Sequence, residues 1–327
     1  MSTGGLVRWA AVAIAGAIAL GLPWLAAAVG DPALVPLGAR ILVAAIAAAS
    51  LNLLVGQGGL VSFGHAAFFG VGGYVVAILY EQTASGERLF GLLPGAGDLL
   101  LTIPAAILFG GLTAAAIGAL ALRTRGVQFI MITLAFAQML FFVMVSLKAY
   151  GGEDGLLVRR RNTLGGHDMR DDDAIYFLCL ACFSAHLFLT ARVVGSRFGR
   201  VLEGVRQNER RLAAIGIATY RYKLTAFIIA GMGAGLAGAL SANLTRFVSP
   251  DMLHWTKSGE LLIMVILGGT GALAGPLVGA AAFIGLETLF SGWTEHWQPL
   301  LGAVILGIVL ASRRGLGGWL PRGKATS

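Results

Sequence analysis

Apolar residues run along this 327-residue chain in long stretches, separated by short polar or glycine-rich interruptions. The stretches cover residues 9–29, 34–55, 66–80, 99–122, 127–147, 174–194, 224–242, 260–273, 276–290 and 299–312. A bilayer's hydrocarbon core takes ~20 apolar residues of helix to cross. The pattern therefore predicts about ten transmembrane helices, the shorter ones broken or tilted. The first stretch reads as a retained spanning helix, being longer than a cleavable signal usually is.

Two polar stretches stand out against this background. Residues 195–223, GSRFGRVLEGVRQNERRLAAIGIATYRYK, form the only long cationic segment between two spans. Val201, Val205, Leu212 and Ile215 recur as one narrow apolar stripe, with Glu203, Arg206, Glu209 and Arg210 on other faces. That spacing predicts one surface helix with something to dock on. Residues 148–173 mix Gly151, Gly152, Glu153, Asp154 and Gly155 with Arg159 to Arg161 and the acids Asp171 to Asp173. They read as a solvated loop, and alternatively as a surface that receives an extracytoplasmic partner.

Composition makes the class firm. Hydrophobic residues are 57%, charged residues only 12%, and mean hydropathy is +0.81. This describes an all-α polytopic membrane protein, a single transmembrane domain over residues 1–327, and excludes a soluble domain. The net charge of +8 belongs to membrane orientation rather than to a nucleic-acid partner. With both termini cytoplasmic, 15 of the 24 cations and two of the 16 acids lie inside, so the faces carry +13 and −5.

Glycine density marks the candidate pathway. Residues 56–74, GQGGLVSFGHAAFFGVGGY, hold seven glycines, each weakening a helix by ~1 kcal/mol relative to alanine. Irregular backbone survives at membrane depth only where protein or water satisfies it. The segment is thus expected either to line a passage or to let helices approach closely. A shorter echo, GGTGALAGPLVG at 268–279, is what a corresponding turn in a diverged second half would look like, though it is too short to establish a repeat by itself. The candidate pathway set is Asn52, Gly58, Gly59, Ser62, Gly64, His65, Thr133, Gln138, Gly268, Gly269, Gly271, Gly275 and Pro276.

Other motifs carry no chemistry. His65 lacks companions at ligand spacing and reads as a structural hydrogen-bonding residue. Cys179 and Cys182 form a C-x-x-C in an apolar run and read as packing. His186 is the one ionisable group deep in a span, thin support for ion coupling. Residues 318–325, GWLPRGKA, nearly match a phosphate-binding loop, but Ala325 replaces the hydroxyl residue and no helix can follow. No nucleophile elbow or acid pair is present, and the chain is expected to be neither an enzyme nor a metal protein.

At SLNLLVGQGGLVSFGHAAFFGVGGY, residues 50–74, the chain resembles the permease subunits of branched-chain amino acid ABC importers of the LivM type. LRTRGVQFIMITLAFAQ (122–138), GGEDGL (151–156), VRQNERRLAAIGI (205–217) and LGGTGALAGPLVGA (267–280) agree in the same order. The resemblance implies an inner-membrane pore subunit of type II-like architecture, paired with a second related permease. Two cytoplasmic ATPases would bind and hydrolyse the ATP, and a periplasmic binding protein would deliver the solute. It also implies that 195–223 is the ATPase-docking loop, with Arg200, Glu203, Val205, Arg206, Glu209, Arg210, Ala213 and Gly216 as contacts. The usual Glu-Ala-Ala opening is missing: Glu203 is followed by Gly204 and Val205. Asn52, Ser62, Thr133 and Gln138 are the groups expected to meet a zwitterion. The competing expectation is an ion-coupled carrier or channel acting alone.

Overall fold

A computed structural model describes residues 19–85, 97–294, 296–311 and 316; the start of the first expected span, the near-match at 318–325 and the tail cations lie outside them. Every expected span falls on a helix. In chain order these are α1 (Ala19–Val29), α2 (Leu34–Asn52), α3 (His65–Ser85), α4 (Leu99–Ala121), α5 (Val127–Ser146), α6 (Asp172–Gly195), α8 (Thr219–Thr245), α9 (Trp255–Gly268), α10 (Gly275–Ser291) and α11 (Trp297–Ala311). The cationic stretch supplies α7 (Arg197–Ala214). A π-helical turn, Leu53–Gly58, extends α2. Among the described residues five helices are long and apolar enough to cross a bilayer; α9, at 14 residues, and α10, at 17, are shorter.

Two helix starts lie well ahead of the hydropathy pattern, for the same reason, while α3 runs on to Ser85 and α9 stops early at Gly268. α9 begins at Trp255, not at 260, because Lys257 and Glu260 neutralise each other at 2.6 Å one turn apart. α8 begins at Thr219, not at 224, because Lys223 is paired with Glu209 at 2.7 Å. Charges that pair in space still interrupt an apolar run in sequence.

The bundle is built on α8, which lies against α2, α3 and α4 through glycine. A Cβ at Gly72 would run into the backbone of Gly235, and one at Gly238 into the carbonyl of Phe69. Gly231 meets Ala114 and Gly110 of α4 in the same way. Small residues let helix backbones touch, which replaces the hydrophobic drive that lipid removes. Phe68, Phe129 and Phe227 stack edge to face beside these crossings.

Polar segments gather at the two ends. At one end residues 148–173 form a mostly exposed loop that is anchored to the bundle at a few positions. Leu156–Leu157 pairs antiparallel with Phe247–Val248, and Asn162 receives its partners from Asn243 and Thr102. Arg161 is nearly buried and bonds Asp172 at 2.5 Å, so α6 is tied to the loop that precedes it. The loop is solvated over most of its length, as expected, and is held down by two buried apolar anchors, Val158 and Met169. The opposite end collects residues 53–64, 122–126, 196–223 and 269–274.

Candidate functional site

At that second end α7 lies across the π-helical turn. Ser196 begins α7, its Oγ accepting from the Gly199 amide at 3.4 Å. Leu202 and Val205 are buried, and Leu202 packs where Gly58 leaves room. The single apolar stripe stops there. Asn208 is extended, with φ −161° and ψ 94°, and breaks α7 into two pieces. Its Oδ1 accepts from the Arg211 amide at 3.0 Å and caps the second piece. The stripe expected through Leu212 and Ile215 is therefore corrected: Leu212 folds back on Gly204, and Ile215 is 70% exposed. Asn followed by Glu-Arg-Arg was the available cap signal. Gly216, with φ +86°, ends α7 as the Ile217 amide reaches back to the Leu212 carbonyl.

Two side chains fasten α7 to the bundle. The Arg206 guanidinium donates to the carbonyl of Gly56, and its methylene stem lies where a Cβ on Gly59 would stand. Glu209 Oε1 accepts from Lys223 Nζ at 2.7 Å and from Thr219 Oγ1 at 3.0 Å, and Arg125 stands 3.7 Å from Oε2. Burial pushes the Glu209 carboxyl up, but the bond and charge of Lys223, with Thr219 and Arg125, outweigh it and hold it below its ordinary value. A cleft of about 280 Å³ lies between, lined by residues that include Gly58, Gly126, Arg206 and Lys223. Arg200, Glu203, Arg210 and Ala213 face outward, and the three charged ones make no ion pair among the described residues.

The two glycine clusters meet just above. Asn52 Oδ1 accepts from the Gly271 amide and Asn52 Nδ2 donates to the Ala272 carbonyl, both at 2.9 Å. A Cβ at Gly56 would strike the Gly271 backbone, so only glycine permits this approach. Gly269 and Gly271 hold φ of +95° and +79°, making the turn that ends α9. Gly268 and Gly275 then press their backbones together, and Pro276 opens α10 at a position that needs no amide donor.

The remaining candidates form a neighbouring group. Thr133 Oγ1 donates to the Ile130 carbonyl at 2.9 Å and accepts from the Phe63 amide at 3.3 Å. Ser62 Oγ accepts from the Gly64 amide, and Gly64 lies against the Thr133 carbonyl. His65 Nε2 meets Ser50 Oγ at 2.8 Å. Ser50 donates onward to Ala47, so the His65 bond carries its proton on Nε2. Asn52, Ser62 and Thr133 thus turn their polar atoms to their own backbone in this conformation. The Gln138 amide nitrogen is buried without a partner among the described residues. Gly56, Arg125, Asn208 and Lys223 are the members that sequence reading missed.

Over residues 34–311 the chain matches the family described as branched-chain amino acid transport system, permease component. It is 27% identical over 294 residues to the high-affinity branched-chain amino acid transport system permease protein LivM of Escherichia coli and to that of Salmonella typhimurium. The match covers 81% of this chain, and the chain spans about 65% of the length of those two relatives. A probable LivM of Methanocaldococcus jannaschii is 23% identical over 282 residues, 79% of this chain and 81% of the relative. The permease protein LivH of Salmonella typhimurium is 24% identical over 139 residues, 42% of this chain and 45% of that one. No solved structure matches.

Proposed function

The chain belongs to the family of branched-chain amino acid transport permease components, and from that premise we propose that it is the transmembrane pore subunit of an ATP-driven importer for branched-chain or related amino acids. The observation that carries the reading is α7. Its inner edge is pinned to the bundle while Arg200, Glu203 and Arg210 stay exposed and make no ion pair among the described residues, a surface prepared for a protein partner.

The partner at that surface is one of two cytoplasmic ATPases, which bind and hydrolyse the ATP; this chain supplies no catalytic group or cofactor of its own. Lys and Arg are retained on the cytoplasmic side, so the cationic α7 end faces the cytoplasm, both termini with it, in the cell's inner membrane. Likeness to LivH as well as LivM supports pairing with a second, related permease. The anchored loop of residues 148–173 then faces a periplasmic solute-binding protein. Alternating access moves α7 with the ATPases and tilts the attached helices α6 and α8.

Charge reversal tests the docking surface. Arg200→Glu with Arg210→Glu leaves the chain inserted and thermally stable, because neither side chain bonds to the bundle. Co-purification of the ATPases and ATP-dependent uptake are both lost. Unchanged uptake would overturn the assignment of α7.

A further inference from the structure

The geometry points to Arg206 as the residue that carries ATPase-driven movement of α7 into the glycine turns, a role separate from holding the ATPase. The inference rests on the transporter reading above and assigns a positioning residue within it.

Arg206 lies on the docking helix and is exposed like Glu203 and Arg210, yet its guanidinium reaches back to the bundle. Glu203 and Arg210 make no ion pair among the described residues, whereas Arg206 donates to the Gly56 carbonyl of this same chain. The contact is tight along its length, since Gly59 must lack a Cβ for the methylene stem to pass. Gly56 sits in the π-helical turn Leu53–Gly58, where the α-helical bonding pattern is already interrupted. From Gly56 the path needs no further side-chain gap. Its backbone abuts Gly271, and Asn52, at the last turn of α2, holds Gly271 and Ala272 at 2.9 Å. One guanidinium therefore links α7 to the two glycine segments that meet at this end.

The second fastening of α7 is mechanically distinct. Glu209 binds Lys223, Thr219 and Arg125, which belong to the start of α8 and the α4–α5 turn. Asn208 lies between the two fastenings and is not helical, so the helical bonding of α7 is interrupted there and the pieces touch through Leu212 on Gly204. Removing the Arg206 bond leaves the buried Leu202 and Val205 to hold Arg200 and Glu203 in the first piece, and the Glu209 attachment to hold Arg210 in the second.

The test uses Arg206→Met, which keeps a stem over Gly59 without a donor, and Arg206→Lys, which keeps the charge and a donor. Each is purified with its ATPases and second permease, reconstituted in vesicles, and read as amino acid imported per ATP hydrolysed. The ratio is read on size-selected complexes that retain every subunit, because ATPases freed from misfolded complexes hydrolyse ATP without import. Arg206→Met retains the ATPases and hydrolyses ATP, while the ratio falls about tenfold, the factor that a lost bond to a charged donor commands. Arg206→Lys recovers part of it. An unchanged ratio in Arg206→Met would overturn the inference, as would loss of the ATPases on purification, which makes Arg206 a docking residue. Absence of ATP-dependent uptake in the unaltered complex would instead overturn the transporter reading on which this one depends.

Discussion

Asn52 and Gly271, 219 residues apart, are joined by a hydrogen bond of 2.9 Å from the Gly271 amide to the Asn52 side-chain oxygen. The same side chain donates to Ala272, so one buried amide group satisfies two backbone groups of the turn between α9 and α10. Asn52→Leu leaves both without partners. Each stranded buried group costs about 1–3 kcal/mol, and the detergent-solubilised protein is expected to melt at a markedly lower temperature. Asn52→Asp keeps the acceptor and falls between. A Leu variant that melts like the parent would show that water takes over this bond.

Glycine has two different meanings along the helices, and alanine scanning separates them. Gly238 faces the Phe69 carbonyl across the α3–α8 crossing and has no space for a methyl group, whereas Gly285 in α10 has nothing within 4 Å. Gly238→Ala forces α3 and α8 apart, an overpacking that costs about 1–3 kcal/mol. Gly285→Ala is neutral or stabilising by up to about 1 kcal/mol through helix propensity. Protease resistance of the two variants in membranes checks the contrast, and equal resistance would contradict the backbone-to-backbone crossing.

Glu209 makes the α7–α8 fastening acid-sensitive. Its folded value lies below the ordinary 4.5, so the unfolded chain binds the extra proton as pH drops. The stabilisation is complete above 4.5 and is lost as pH falls through the lower folded value. Melting temperature measured across that range should fall more steeply for the parent than for Glu209→Gln, which has no carboxyl to protonate. Parallel curves would mean that the Lys223 pair contributes nothing.

The helices are legible in local hydropathy, because lipid demands a continuous apolar run for each crossing and that demand is written in neighbouring residues. Hydropathy misplaces the starts of α8 and α9, where Lys223 with Glu209, and Lys257 with Glu260, cancel charge through pairing. The glycine clusters are visible as composition, but their meeting is not. Asn52 with Gly271 is a contact across most of the chain, and no periodicity carries it. The break at Asn208 is hidden for another reason. The apolar spacing of Val201, Val205, Leu212 and Ile215 suits one straight helix, and only the capping preference of asparagine speaks against it.

The central claim is that solute movement through this chain is driven by ATP hydrolysed in partner subunits that seat on α7. The most direct measurement is uptake of labelled branched-chain amino acid into vesicles holding this chain with its second permease, ATPases and binding protein, compared with vesicles holding this chain alone under an imposed proton or sodium gradient. The account predicts accumulation in the first only when ATP is supplied on the ATPase side, and none in the second. Accumulation by the chain alone under an ion gradient, with no ATPase present, would contradict it.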